Sequence, residues 1–553
     1  MGLFIRKSIE SLQAEAAQSG SKSLKRVLGP VSLVALGVGV IIGAGLFSIT
    51  GTVASEFTGP SITLSFIIAA IGCCFAGLCY AEFASMIPVA GSAYTYSYAT
   101  MGELIAWIIG WDLVLEYTVA ATTVSISWSR YMVVFLENLG IHLPHALTAC
   151  PWDGGIINIP AMLIVVLMSL FLIRGTEGSS IFNGFIVFLK IAVILIFVVL
   201  GWQFIQIENY TPYIPENTGK LGEYGFSGIL RGAAVVFFAF LGFDAVSTAA
   251  QETKNPKRDM PIGILVSLLV CTLLYVLFAH VMTGVAHYTE FGGQQGIAPV
   301  AVAIEHMGTP DASGVVQPAF PWLNKAIILA ILFGYCSVIM VTLMAQSRVF
   351  LSMSHDGLLP PFFSKIHSKF RTPAHSNVLF MILVGLMAAF IPAQVAGEMT
   401  SIGTLFAFTL VCAAILIVRK TMPNVHRAFK TPFVPAVPIL GILTCLCMMC
   451  FLPADTWIRL VLWMLIGLDI YACYGIKHSK LEGHVPNRKG SNVLNMLGVT
   501  LSVLCIITGL WHQQTVGWNE SKILLTISFI FAFTHCAYYV YRMWKHASTA
   551  KMS

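Results

Sequence analysis

Charge is what this chain has least of. Asp, Glu, Lys and Arg make up 10% of its 553 residues, against roughly 25% in a soluble domain. That poverty excludes a soluble enzyme, a disordered scaffold and a nucleic-acid-binding protein with a basic face. Catalytic signatures are missing too: there is no HExxH, no nucleophile elbow, no P-loop and no dinucleotide fingerprint, so no enzymatic activity is expected. The 13 cysteines are odd in number and nearly all lie in apolar runs; Cys150 alone falls in a loop, which leaves no disulfide framework. Cys445, Cys447 and Cys450 have no His or carboxylate nearby, so they read as core residues, and no metal or other cofactor is expected. The first 29 residues mix charges of both signs without an apolar h-region, which argues against a cleavable signal peptide.

What is present is hydrophobic. Apolar and aromatic residues make up 57% of the chain, with 47 glycines besides. A bilayer crossing needs about 20 mostly apolar residues, and fourteen segments qualify: 31–53, 61–86, 103–137, 159–173, 181–203, 226–251, 261–285, 323–353, 376–392, 399–418, 434–452, 456–475, 492–511 and 522–543. The expected fold class is an all-α polytopic membrane protein. The longest connection, 286–322, is rich in glycine and proline and is expected to form short helices.

Basic residues set the orientation. With an even number of crossings both termini share a side, and 24 of the 31 Lys and Arg fall there, among them Arg348 to Arg371 and Lys477 to Lys489. The opposite loops hold only Lys220, Lys325 and Lys522. Both termini are therefore expected in the cytoplasm, with the basic loops on an anionic inner leaflet of a plasma or inner membrane. The net charge of +6 then needs lipid as its partner and no nucleic acid.

Glycine interrupts two of these segments, the first around Ile42-Gly43-Ala44-Gly45 and the sixth around Phe237-Phe238-Ala239-Phe240-Leu241-Gly242. Glycines at mid-span permit either a close helix crossing or an unwound stretch. An unwound stretch exposes backbone N–H and C=O groups at bilayer depth, where they must line a cavity. Half-helix N-termini attract a carboxylate and free carbonyls attract an ammonium. A free amino acid carries both groups. Two interruptions five segments apart are also the pattern of an inverted repeat with its site at the repeat interface.

Lys190 stands deep within the fifth segment. An ammonium at mid-span costs roughly 2.5–3.5 kcal/mol on insertion scales, so it is expected to face the bundle interior, either in a fixed ion pair or as a group that takes up and releases a proton. Asp112 and Glu116 share a face of the third segment, with Arg130 five turns beyond Asp112. All three are expected to point inward, although Asp112 lies near the segment's end, where solvent is an alternative. Glu116, deeper, is the better candidate for a proton-sensitive group. Asp244 follows the second interruption, as a helix cap, a gate or both.

Together with the glycine-interrupted first segment, Tyr80-Ala81-Glu82-Phe83 through Val89-Ala90-Gly91-Ser92-Ala93-Tyr94 resembles the amino acid–polyamine–organocation superfamily. Within it, several stretches resemble the cationic amino acid transporter family. These are Gly110-Trp111-Asp112 through Glu116-Tyr117, Phe240 to Asp244, Glu252 to Pro256, Met353 to Pro360, Phe429 to Pro432 and Thr456 to Arg459. The resemblance covers roughly residues 25–480 and implies a LeuT-type fold of five plus five helices as an inverted repeat, with helices 1 and 6 discontinuous and four further C-terminal helices. The expected organisation is a tail (1–30), a first repeat (31–205), a second repeat (226–420), helices eleven and twelve (430–476), helices thirteen and fourteen (490–545) and a tail (546–553). It implies secondary active amino acid transport, commonly proton-coupled; an exchanger of the same fold and a non-transporting amino acid sensor are the alternatives. The substrate would bind main chain around Ile42, Gly43, Ala44, Gly45, Phe238, Ala239 and Leu241. Lys190 would replace the cation of sodium-coupled relatives, and Glu116 and Asp244 match the family's acidic positions. Residues near Ile339 and Met340 are expected in a distal pocket formed by the third, sixth, eighth and tenth helices.

Overall fold

The structure is a computed structural model. It describes residues 2–17, 26–43, 45–89, 91–137, 139–292, 299–310, 316–481, 488–515 and 522–552. Ala44, expected at the site, lies outside the described residues, as does Ala90.

After a short α1 (Ile9–Ala17), α2 (Pro30–Ile41) enters the bundle, its first residue a proline whose missing N–H needs no partner there. The chain breaks at Ile42, which is extended, and resumes as a π-helical turn at Gly45–Ile49, then α3 (Thr50–Val53). The helices α4 (Ile62–Met86), α5 (Ala93–Thr100), α6 (Glu103–Glu137), α7 (Ile159–Arg174) and α8 (Thr176–Gly201) come after it. Next, α9 (Gly225–Val236) passes into a 3₁₀ stretch, Phe237–Phe240, before α10 (Ala245–Thr248). Then come α11 (Pro256–Val285), α12 (Pro299–Glu305), α13 (Pro321–His355), α14 (Ala374–Phe390), α15 (Ala393–Thr421), α16 (Ala436–Cys450), α17 (Ala454–Ile470), α18 (Ile476–His478), α19 (Arg488–Thr515) and α20 (Lys522–Met552).

Among the described residues ten helical stretches are long and apolar enough to cross a membrane, and α2, α7, α14 and α16 are shorter apolar helices. The protein is an integral, polytopic α-helical membrane protein. The connection expected to hold only short helices contains α12 and also a small antiparallel hairpin, β1 (Gly308–Pro310) and β2 (Val316–Pro318), with Thr309 opposite Gln317. Glycine and proline leave too little periodicity there to distinguish the two.

The long α6 lies at the centre, packed between α13 and α15. Its many hydroxyls turn inward on its own ladder: Thr118 bonds Val114 O, Thr122 bonds Thr118 O and Ser125 bonds Ala121 O. A polar face so satisfied can be buried without an unmet donor. Small residues set the other crossings. Gly263 faces Leu33, and Gly37 faces Ser267, so α2 and α11 approach closely. On the outside, Ile181, Phe185, Phe188 and Val199 of α8 are exposed, an apolar face suited to lipid.

Long-range joints lock the bundle at three places. Leu28, before α2, pairs in parallel with Thr253, just after the second interrupted helix. The N–H groups of Val27 and Leu28 reach Glu252 O at 2.9 and 3.0 Å, and Lys254 N–H reaches Leu28 O at 2.9 Å. The Glu252 carboxylate is buried against Arg348 of α13, whose Nε donates to it at 2.7 Å. Arg348, expected in a solvated basic run, is therefore fully buried, one partner of an interior ion pair. At the C-terminal end, His535 and Tyr539 of α20 hold Asp469 of α17 at 2.6 and 2.5 Å.

Candidate functional site

The two interrupted helices meet. A Cβ on Gly45 would collide with the main chain of Ala239, and one on Gly242 (φ +104°) would collide with Val40. Glycine is required at both positions, at Gly242 by its positive φ as well. Both sequence readings of the glycines thus hold at once: the helices cross closely, and the chain between them is unwound.

Unwinding turns carbonyls away from the helix ladder, and side chains take them up. The Tyr275 hydroxyl of α11 lies 2.6 Å from Ile41 O and 2.8 Å from Ala239 O. It has one proton, so it donates to one carbonyl at a time. Tyr131 of α6 donates to Phe47 O at 2.8 Å. Lys190 is buried, and its Nζ donates to Gly39 O and Ile42 O, both at 2.6 Å. Its stem packs on Gly334 of α13, where a Cβ would stand 2.8 Å from Cε. The ammonium therefore ties α8 to the end of α2 through two carbonyls, and reaches α13 by packing alone. The hydroxyl on that helix, Ser337, bonds Gly39 O at 3.3 Å and Asn183 Oδ1.

Beside the breaks lies a small cavity. Gly43, Gly45, Phe238 and Leu241 line it, together with Glu116, which is buried. Of the expected binding positions, Ile42 and Ala239 stand just outside, with their carbonyls on Lys190 and Tyr275. The rest of the wall is apolar: Val40, Ile41, Ala120, Val124 and Val338, relieved by Tyr117 and Thr342. Val338 and Thr342 flank the Ile339 and Met340 expected in this wall; the latter two are buried. A Cβ on Gly43 would meet Val338 at 2.8 Å, which places that valine directly across from the unwound chain.

Asp244 occupies the N-cap position of α10 without a capping hydrogen bond from its side chain. Its Oδ2 instead accepts from Tyr117 at 2.5 Å, and it is fully buried. Glu116 lies within electrostatic reach of both Asp244 and Asp112, with Thr404 of α15 facing it. Asp112 is buried, not solvated. Arg130 departs from expectation in the other direction. It is 40% exposed and 3.7 Å from Asp153 in the loop before α7, because α6 is long enough to carry its last turns out of the bundle. Tyr275 has no signal in the sequence and Tyr117 stands there only within a stretch that carries the family resemblance, because a tyrosine in an apolar helix carries no mark of the carbonyl or carboxylate it will meet. No group of His, Cys, Asp and Glu suited to a metal occurs among the described residues.

A cavity thus lies between two unwound helices inside a membrane bundle, with main-chain polar groups and one carboxyl in its wall. A family model described as amino acid permease matches residues 28–468. The chain belongs to the amino acid permease family, within the amino acid–polyamine–organocation superfamily. It is 44% identical over 484 residues to the branched-chain amino acid permease BcaP of Bacillus subtilis (strain 168), covering 87% of this chain and 99% of that one. It is 40% identical over 482 residues to the methylthioribose transporter of the same organism, with coverage of 87% and 99%. The cationic amino acid transporter 4, vacuolar, of Arabidopsis thaliana is 34% identical over 430 residues, with coverage of 76% and 67%. The relatives thus divide between these groups, and the narrower resemblance to cationic amino acid transporters gives way to membership of the permease family. The protein is a secondary active amino acid permease and not an enzyme.

Proposed function

We propose that this permease takes up amino acids together with protons by alternating access, in a LeuT-type arrangement of five plus five helices followed by four more, with both termini cytoplasmic. The observation that carries the reading is Lys190. A buried ammonium held, among the described residues, by the carbonyls of Gly39 and Ile42 is stable while it is charged. Once it loses its proton, two of its donors to the broken helix weaken together. Only a difference in stability between two states lets a proton drive a cycle, and this lysine supplies one: charged, it fixes α2 to α8; neutral, it frees the end of α2. Glu116 in the cavity wall and Asp244 on Tyr117 are the acidic partners of that exchange.

The substrate is a neutral amino acid with a branched aliphatic side chain. Its carboxylate faces the start of the helix at Gly45, and its ammonium faces the carbonyls that end α2 and the Phe237–Phe240 stretch. Its side chain meets Val40, Ala120, Val124 and Val338. The apolar wall supports this, as does the 44% identity to a protein named as a branched-chain amino acid permease.

The test is uptake of labelled leucine, valine and arginine by reconstituted vesicles, with and without an imposed pH gradient. The expected result is leucine and valine accumulation that requires the acid side to be outside. Accumulation unaffected by the gradient would overturn proton coupling, and a preference for arginine would overturn the substrate.

A further inference from the structure

Asp112 is a carboxyl in an unusual position. It is fully buried, and among the described residues neither of its oxygens has a hydrogen-bond partner. It lies one helical turn from Glu116 on the same face of α6, on the side toward Glu103. Across from it stands Gly403 of α15, where a Cβ would come within 3.1 Å of Oδ1 and 3.7 Å of Cγ. Any larger residue there would press on the carboxyl.

Among the described residues the surroundings offer nothing to hold a negative charge. On α15 the facing residues are Gly403 and Thr404. On α13, Gln346 donates to Val114 O at 3.2 Å and also bonds Thr118, and Arg348 is committed to Glu252. On α17, Trp463 stacks on Trp111, and each indole N–H donates to the other's main-chain carbonyl, at 2.9 and 3.0 Å. Beyond Glu116 lie Asp244, on the second interrupted helix, and Tyr80 of α4, near both carboxyls. An ionised carboxylate without a partner in such a place carries the full cost of its lost hydration.

We propose that Asp112 is a proton-carrying residue that takes the proton from Glu116 and delivers it to the Glu103 end of α6. This deepens the proton-coupled reading of the permease and rests on it. Asp112 gives up its own proton first: when the seam between α6 and α15 admits water, an O–H bond breaks on Asp112 and one forms on that water, which also hydrates the carboxylate left behind. The proton of Glu116 then follows: an O–H bond breaks on Glu116 and one forms on Asp112, and the negative charge passes from Asp112 to Glu116. Residues one turn apart on a helix face have Cβ atoms about 5–6 Å apart, a gap that one bridging water spans. Gly403 leaves the carboxyl room to turn.

The experiment compares wild type with Asp112→Asn and Asp112→Glu in reconstituted vesicles. One assay reads leucine accumulation under an acid-outside gradient, and a second reads leucine counterflow, which needs no net proton movement. Asp112→Asn is expected to keep counterflow within about twofold and to lose accumulation by about tenfold or more. Asp112→Glu, which keeps a titrating group, is expected to recover part of the accumulation. If Asp112→Asn accumulates leucine as wild type does, loses counterflow along with accumulation, or is matched by Asp112→Glu, the relay is wrong. A wild type whose leucine uptake ignores the gradient sinks both the relay and the coupled reading. A gradient-driven wild type with an equally competent Asp112→Asn sinks the relay alone.

Discussion

Tyr275 and Ile41 form the joint between the two interrupted helices, the tyrosine hydroxyl standing 2.6 Å from the Ile41 carbonyl oxygen and 2.8 Å from that of Ala239. One proton serves two acceptors, so the bond can pass from one helix to the other without being lost. Tyr275→Phe keeps the ring and removes the donor, leaving a buried carbonyl unpaired at a cost of about 1–3 kcal/mol. The variant should insert normally, melt at a lower temperature in detergent and take up leucine with a raised KM. An unchanged melting temperature would show that water replaces the hydroxyl without loss.

Gly45 touches the main chain of Ala239, so a side chain there must separate the two breaks. Gly45→Val should abolish uptake while the protein still reaches the membrane in normal amount. Gly43→Val should act alike through Val338. Wild-type leucine affinity in Gly45→Val would rule out a main-chain site between the breaks.

Lys190→Met keeps the volume of the side chain and removes both donors to Gly39 O and Ile42 O. It should abolish the dependence of accumulation on an imposed pH gradient, a loss of about tenfold or more, while leucine still stabilises the purified protein against heat. Lys190→Arg stays charged at every working pH and should also fail to accumulate. Gradient-driven accumulation by Lys190→Met equal to wild type would leave the lysine a structural tie.

Orientation is open to chemical labelling. A single cysteine placed between 209 and 220 should react with an impermeant reagent added outside intact cells, and one placed between 477 and 481 should react only after the membrane is opened. The opposite pattern would reverse the sidedness drawn from the basic loops.

The bundle was readable from sequence because hydrophobic length is a one-dimensional property. Every expected apolar segment falls on helical chain, although among the described residues only ten helical stretches are long and apolar enough to cross a membrane and four are shorter; the first and sixth segments are each broken at their glycine interruption. Lys190 was readable for the same reason, since depth in an apolar run can be counted. What failed to show was direction and pairing. The periodicity of α6 carries Asp112, Glu116 and Arg130 onto one face, but a helix of 35 residues is about 52 Å long, longer than the hydrocarbon layer it crosses. Its last turns emerge with Arg130, whereas Asp112, two and a half turns from Glu103, is covered by α15. Tyr117, Tyr275 and Arg348 reach Asp244, Ile41 and Glu252, each more than 90 residues away. Nothing local announces such bonds, and only the packed helices reveal them.

The bridge from Leu28 to Thr253 has a mechanical meaning. It splices the leading end of α2 to the trailing end of the second interrupted helix, and the buried Glu252–Arg348 pair fastens that splice to α13. A swing of α2 that left the bridge intact would carry residues 252–254 with it. A movement of either end alone would have to break three main-chain hydrogen bonds first, so the splice couples the two interrupted helices at the end opposite their breaks.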